Sequence, residues 1–123
     1  MKWLLPIVFL VSVLLLFRSS IGNSKEEIVK KLFHQMARWS TAATQDQNHV
    51  VRVLHANYGV GYMMALQTVA GDEELGRIVG VQDMRVLFDR VQSIQNEATL
   101  RLVSECPELA PKEELAKWGG EAI

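Results

Sequence analysis

The sequence predicts an all-α protein, a small helical bundle of three to four helices preceded by one N-terminal hydrophobic helix. Three observations carry that expectation. Residues 3–17 form an uncharged apolar run. Apolar residues recur at three- and four-residue spacing in several later stretches, the period of a helix with one buried face. Helix caps, glycines and prolines separate those stretches, and no segment alternates apolar and polar residues as a half-buried strand does.

Two readings compete for residues 1–22. As a signal peptide, Lys2 is the charged start, the apolar run is the central region, and Ser20 and Gly22 precede a cut at Asn23. As an anchor, the run itself spans only about 22 Å at 1.5 Å per residue. Extension through Ser19, Ser20 and Ile21, with Arg18 reaching toward the headgroups, brings it to the roughly 20 residues a bilayer requires. Arg18, Lys25, Lys30 and Lys31 follow the run, against Lys2 and the α-amino group before it. That asymmetry favours a single-pass anchor with the C-terminal domain on the cytoplasmic face. The unpaired Cys106 agrees, since no internal disulfide is possible. The expected organisation is an anchor or signal over 1–22, a helical domain over 23–106 and a short tail helix over 107–123. Cleavage after Gly22 would instead release a secreted or lumenal helical protein.

The first bundle helix is expected to start at Ser24, because Ser24-Lys25-Glu26-Glu27 has the form of a capping box. Ile28, Leu32, Met36, Trp39 and Ala43 then share one face, widened by Val29 and Phe33. The polar stretch 44–48 breaks the period, and Asn48 is placed to cap a second helix over about 49–70. That helix has two apolar stripes. One holds Val51, Leu54, Tyr58, Gly61 and Ala65, and the other His55, Gly59, Tyr62, Leu66 and Val69. Arg52 is its only formally charged residue, so the helix is expected at the centre of the bundle. Gly71-Asp72 ends it and caps a short helix, 73–79, that stops at Gly80.

Asp83 is the expected cap of the next helix, in which Met84, Leu87, Val91, Ile94, Ala98 and Leu102 form a seam close to a heptad. Cys106-Pro107 closes it, because the residue before a proline is driven out of the helical region. Pro111 and Gly119 frame the tail helix, with Leu115 and Trp118 on it.

Composition narrows the function. Without residues 1–22 the 13 basic residues fall to 11 against 14 acids, a formal balance of −3. No basic field for nucleic acid is present, so none is expected as a partner. No histidine pair has the spacing that sets two ligands on one helical face, and the carboxylates do not repeat as E-x-x-H, so no metal site is expected. No serine stands in a nucleophile elbow. The glycines at 59 and 61 lack the preceding strand and longer spacing of a phosphate-binding loop. No cofactor and no catalytic residue are therefore assigned. Gly59 and Gly61 are expected to permit close helix packing, since each costs a helix about 1 kcal/mol. His55, Tyr58 and Tyr62 form a candidate polar cluster, which leaves open a small ligand-binding domain. His34 and His55 are expected to be partly buried.

The stretches Ala37-Arg38-Trp39-Ser40, His55-Ala56-Asn57-Tyr58-Gly59, Gly61-Tyr62 and Cys106-Pro107 resemble those of small membrane-anchored proteins of large DNA viruses of algae and protists. The resemblance spans roughly residues 28–111 and implies a virus-encoded, virion membrane or capsid-associated component. It carries no functional residues with it. The chain is expected to be a non-enzymatic protein of interaction or structural assembly. Its expected partners are a membrane through residues 3–21, and a protein through Leu115 and Trp118 of the tail or through the anchor.

Overall fold

The computed structural model describes residues 2–110, without the side chains of residues 21–23, and the expected tail helix lies outside this range. Four α-helices and a terminal 3-10 turn follow in order: α1 (Leu4–Gln45), α2 (His49–Val69), α3 (Asp72–Val79), α4 (Met84–Glu105) and Pro107–Leu109. No strand is present among the described residues. The architecture is all-α, as the periodicity predicts.

The largest departure is at the start. The apolar run and the first bundle helix are one continuous helix of 42 residues. Ser24 lies inside it, so the capping box at Ser24–Glu27 does not begin a helix. An N-cap stabilises only where backbone N–H groups lack partners, and here the preceding turn supplies the carbonyls. Pro6 is tolerated because it sits in the first turn, where an N–H has no partner inside the helix.

The other boundaries follow local chemistry. Asn48 Oδ1 accepts from Val50 N and Val51 N at 3.0 and 3.1 Å. Asp83 Oδ1 accepts from Arg85 N and Val86 N at 3.0 and 3.3 Å. Gly80 takes the left-handed conformation, φ 76°, that ends α3. Asp72 is the first residue of α3, not its cap; Gly71 holds the cap position without a side-chain bond.

The main core joins all four helices through Val29, Met36, Val60, Met63, Leu66, Leu75, Met84, Phe88 and Val91. A second, smaller layer is built of Ala43, Ala56 and Ala98, flanked by Val53 and Ile94. Lys25 Nζ lies 3.0 Å from Glu74 Oε1 and ties α1 to α3. The α4 seam points inward: Met84, Val91 and Ala98 are buried, and Leu87, Ile94 and Leu102 are half-buried. Phe88, beside the seam in sequence, is buried with it.

Helix α2 packs on α1 and α4, but only one of its two stripes is covered. Val51, Leu54 and Tyr58 are 37%, 46% and 44% exposed, and Gly61 is exposed beside them. The central placement therefore holds for one face. Three neighbouring helices in so short a chain cannot enclose a fourth, and the back of α2 is left to solvent.

Candidate functional site

The polar groups converge at the α1–α2 corner. Asp46 is the C-cap of α1, where the chain turns extended, and its side chain meets His55 one and a half turns into α2. His55 Nδ1 and Asp46 Oδ2 are 2.6 Å apart, with the two side chains 22% and 21% exposed. Arg52 donates from Nε to the Asp46 carbonyl at 3.0 Å, and from Nη2 to the same oxygen. The corner is thus held from both the side chain and the backbone of one residue.

Aromatic contacts extend it. The Trp39 ring lies 5.0 Å from His55 and 5.2 Å from Tyr58, the latter edge to face, with the Arg38 guanidinium 5.1 Å from its centroid. Such geometries suit the ring quadrupole. His55 and Tyr58, whose rings are 6.4 Å apart, therefore stand together. Tyr62 does not join them. It packs against the main core, about two turns beyond His55 and one beyond Tyr58 along α2. Trp39, Asp46 and Arg52 take its place.

The two glycines separate as well. A Cβ on Gly59 would lie 2.4 Å from Ser40 Oγ and 3.3 Å from Ser40 N, so α1 and α2 touch here. A Cβ on Gly61 would meet nothing within 4 Å. Close packing at Gly61 is corrected: positions two apart on a helix point about 200° apart, so both cannot face α1. Ser40 Oγ is buried and makes no hydrogen bond to a described residue.

The histidines are dispersed. His34 is exposed, against the expectation of partial burial. His49, the first residue of α2, lies 2.6 Å from Glu105 Oε2 and ties α2 to the end of α4. Among the described residues no three His, Cys, Asp or Glu side chains gather as a metal site would need. Cys106 is a free thiol, partly buried.

The corner is built to hold a turn. A charge-assisted hydrogen bond between partly buried groups is worth about 1 kcal/mol once solvent screening is counted. A double-mutant cycle of Asp46→Asn and His55→Gln is expected to show about 1 kcal/mol of coupling, read from thermal unfolding of the full chain in detergent. Additive effects would mean that the pair does not hold the corner.

Compared with known families, curated proteins and solved structures, the chain matches none.

Proposed function

We propose that the chain is a non-enzymatic, single-pass membrane-anchored protein whose helical bundle acts in interaction or structural assembly. The observation that carries this reading is α1. Among the described residues one helix is long and apolar enough to cross a membrane; its most apolar 18-residue window has a mean hydropathy of 2.3, and none of that window is buried against the rest of the chain. Leu5, Phe9, Leu16 and Phe17 are each more than 65% exposed. An apolar surface of that extent favours burial in lipid over contact with water.

At about 1.5 Å per residue the helix is ~63 Å long, twice a bilayer's ~30 Å core. A membrane-embedded half and a bundle-building half then share one rigid element, with no linker between them. Arg18, Lys30 and Lys31 on the bundle side favour a cytoplasmic bundle. Lys25 contributes less, being paired with Glu74. The uncovered back of α2, uncharged through Val51, Leu54 and Tyr58, supports a role in contacts with a partner. The tail, through Leu115 and Trp118, is a second proposed point of contact with a partner. The resemblance to proteins of large DNA viruses makes a virion membrane the proposed setting.

The full-length protein is expected to stay in the membrane pellet after carbonate washing and to keep Met1 or Lys2 at its terminus. Intact-mass spectrometry showing a chain that begins at Asn23 would overturn the anchor and make the bundle a secreted or lumenal protein.

A further inference from the structure

We infer that a small cleft between α1, α2 and α4 binds a phosphate-class oxyanion through Arg52, Arg90 and Arg101. The cleft has a volume of about 170 Å³ and is lined by these three arginines with Ala43, Thr44, Ile94, Glu97 and Ala98. This inference does not depend on what residues 4–20 do.

The space has a structural cause. Ala43 and Ala98 belong to the small alanine layer of the core, and their short side chains leave a hollow that longer residues would fill. Helical periodicity then aims charge at it. Arg90, Glu97 and Arg101 stand 7 and 11 residues apart on α4, two and three turns, and so share one face. Arg52 enters from α2 with its orientation already set, since Nε and Nη2 are bound to the Asp46 carbonyl. Its Nη1 makes no hydrogen bond to a described residue.

Charge gives the ligand class. Three guanidiniums and one carboxylate place a formal +2 around the hollow. The acid–base side-chain contacts at salt-bridge distance among the described residues are Lys25 with Glu74, His49 with Glu105 and His55 with Asp46, so none of the three arginines has a carboxylate partner there. A dianionic oxyanion balances that charge, and the planar donor forks of arginine match its oxygens. The size excludes a cofactor: sites for drug-sized ligands run from roughly 300 Å³ upward. Lipid headgroups beside the apolar segment are excluded by distance, since Ala43 is ~35 Å along α1 from Ser20 at 1.5 Å per residue. The phosphate therefore comes from solution or from a phosphorylated group on another molecule.

The test is calorimetric titration of the full chain in nonionic detergent with inorganic phosphate, against sodium chloride at matched ionic strength. Saturable phosphate binding beyond the chloride control is expected. Arg90→Gln and Arg101→Gln, at exposed positions outside the core, should each weaken it about tenfold. Glu97→Gln, which removes the cleft's one acid, should tighten it a few-fold. Titration with O-phosphoserine separates the two sources. Binding of both ligands assigns the cleft to a phosphorylated group, and binding of inorganic phosphate alone assigns it to the free ion. Phosphate heats no greater than the chloride control, or an unchanged affinity in any of the three variants, would overturn the inference.

Discussion

Replacing Gly59 with leucine is expected to lower the stability of the chain by about 3 kcal/mol, the upper part of the usual cost of overpacking a close contact. A single added carbon would already lie 2.4 Å from Ser40 Oγ and 3.3 Å from the Ser40 backbone nitrogen. The hydroxyl can rotate away, but the nitrogen cannot move without α1. Gly59→Ala should therefore cost about 1 kcal/mol, and Ser40→Ala should recover part of it. That second change also removes a buried hydroxyl that makes no hydrogen bond to a described residue. Gly61 supplies the control. Its open surroundings mean that Gly61→Ala should stabilise the helix by about 0.5–1 kcal/mol, the propensity difference at an exposed position. Thermal unfolding of the full chain in detergent reads all four variants. Equal effects of alanine at positions 59 and 61 would show that α1 and α2 do not meet at Gly59.

The contrast between the two glycines shows where a sequence is readable. Helix ends are set by groups a few residues apart. Asn48, Asp83, Gly80 and Cys106-Pro107 could each be assigned because cap and capped amides are neighbours in the chain. The Ser24–Glu27 box has the same local form, yet whether it caps depends on the turn before it. Local pattern cannot decide that competition. Faces of helices are legible only as periods. Gly59 and Gly61 both look suited to close approach, and the choice between them rests on where α1 lies. The same holds for the two stripes of α2, since periodicity shows that both are apolar but not how many neighbours exist to cover them.

The corner site was half legible. His55 and Tyr58 are one turn apart on one helix, a spacing that announces proximity. Tyr62 satisfies the same arithmetic and yet belongs to the core, because seven residues carry it about 10 Å from His55 along the axis. Asp46 and Trp39 reach His55 only through the fold of α1 back onto α2, so no spacing in the chain signals them. The arginine cleft mixes the two cases. The 7- and 11-residue spacing of Arg90, Glu97 and Arg101 is a helical signal present in the sequence, whereas the arrival of Arg52 from another helix is not.

The double substitution Leu10→Arg and Leu14→Arg is expected to move the full-length protein from the membrane fraction to the soluble fraction. The two leucines are one turn apart in the apolar half of α1, and both are more than 60% exposed in the folded chain. Near the centre of a bilayer each leucine-to-arginine change costs about 3 kcal/mol on insertion-based scales. Two such changes sum to about 6 kcal/mol, a shift of roughly 10⁴ in partition at 1.4 kcal/mol per factor of ten. The bundle should not respond. No residue of the most apolar window is buried against the rest of the chain, so the core around Met36, Leu66 and Leu75 keeps all its contacts. Helix content by circular dichroism should stay within a few residues of the parent, and the melting of the bundle should be unchanged. Carbonate extraction of both proteins, expressed side by side, gives the result. A variant that remains in the pellet would show that the apolar half of α1 is not what holds the protein there. A variant that leaves the membrane but loses cooperative melting would show that α1 needs its apolar half to support the bundle, contrary to the separation of the two along one helix.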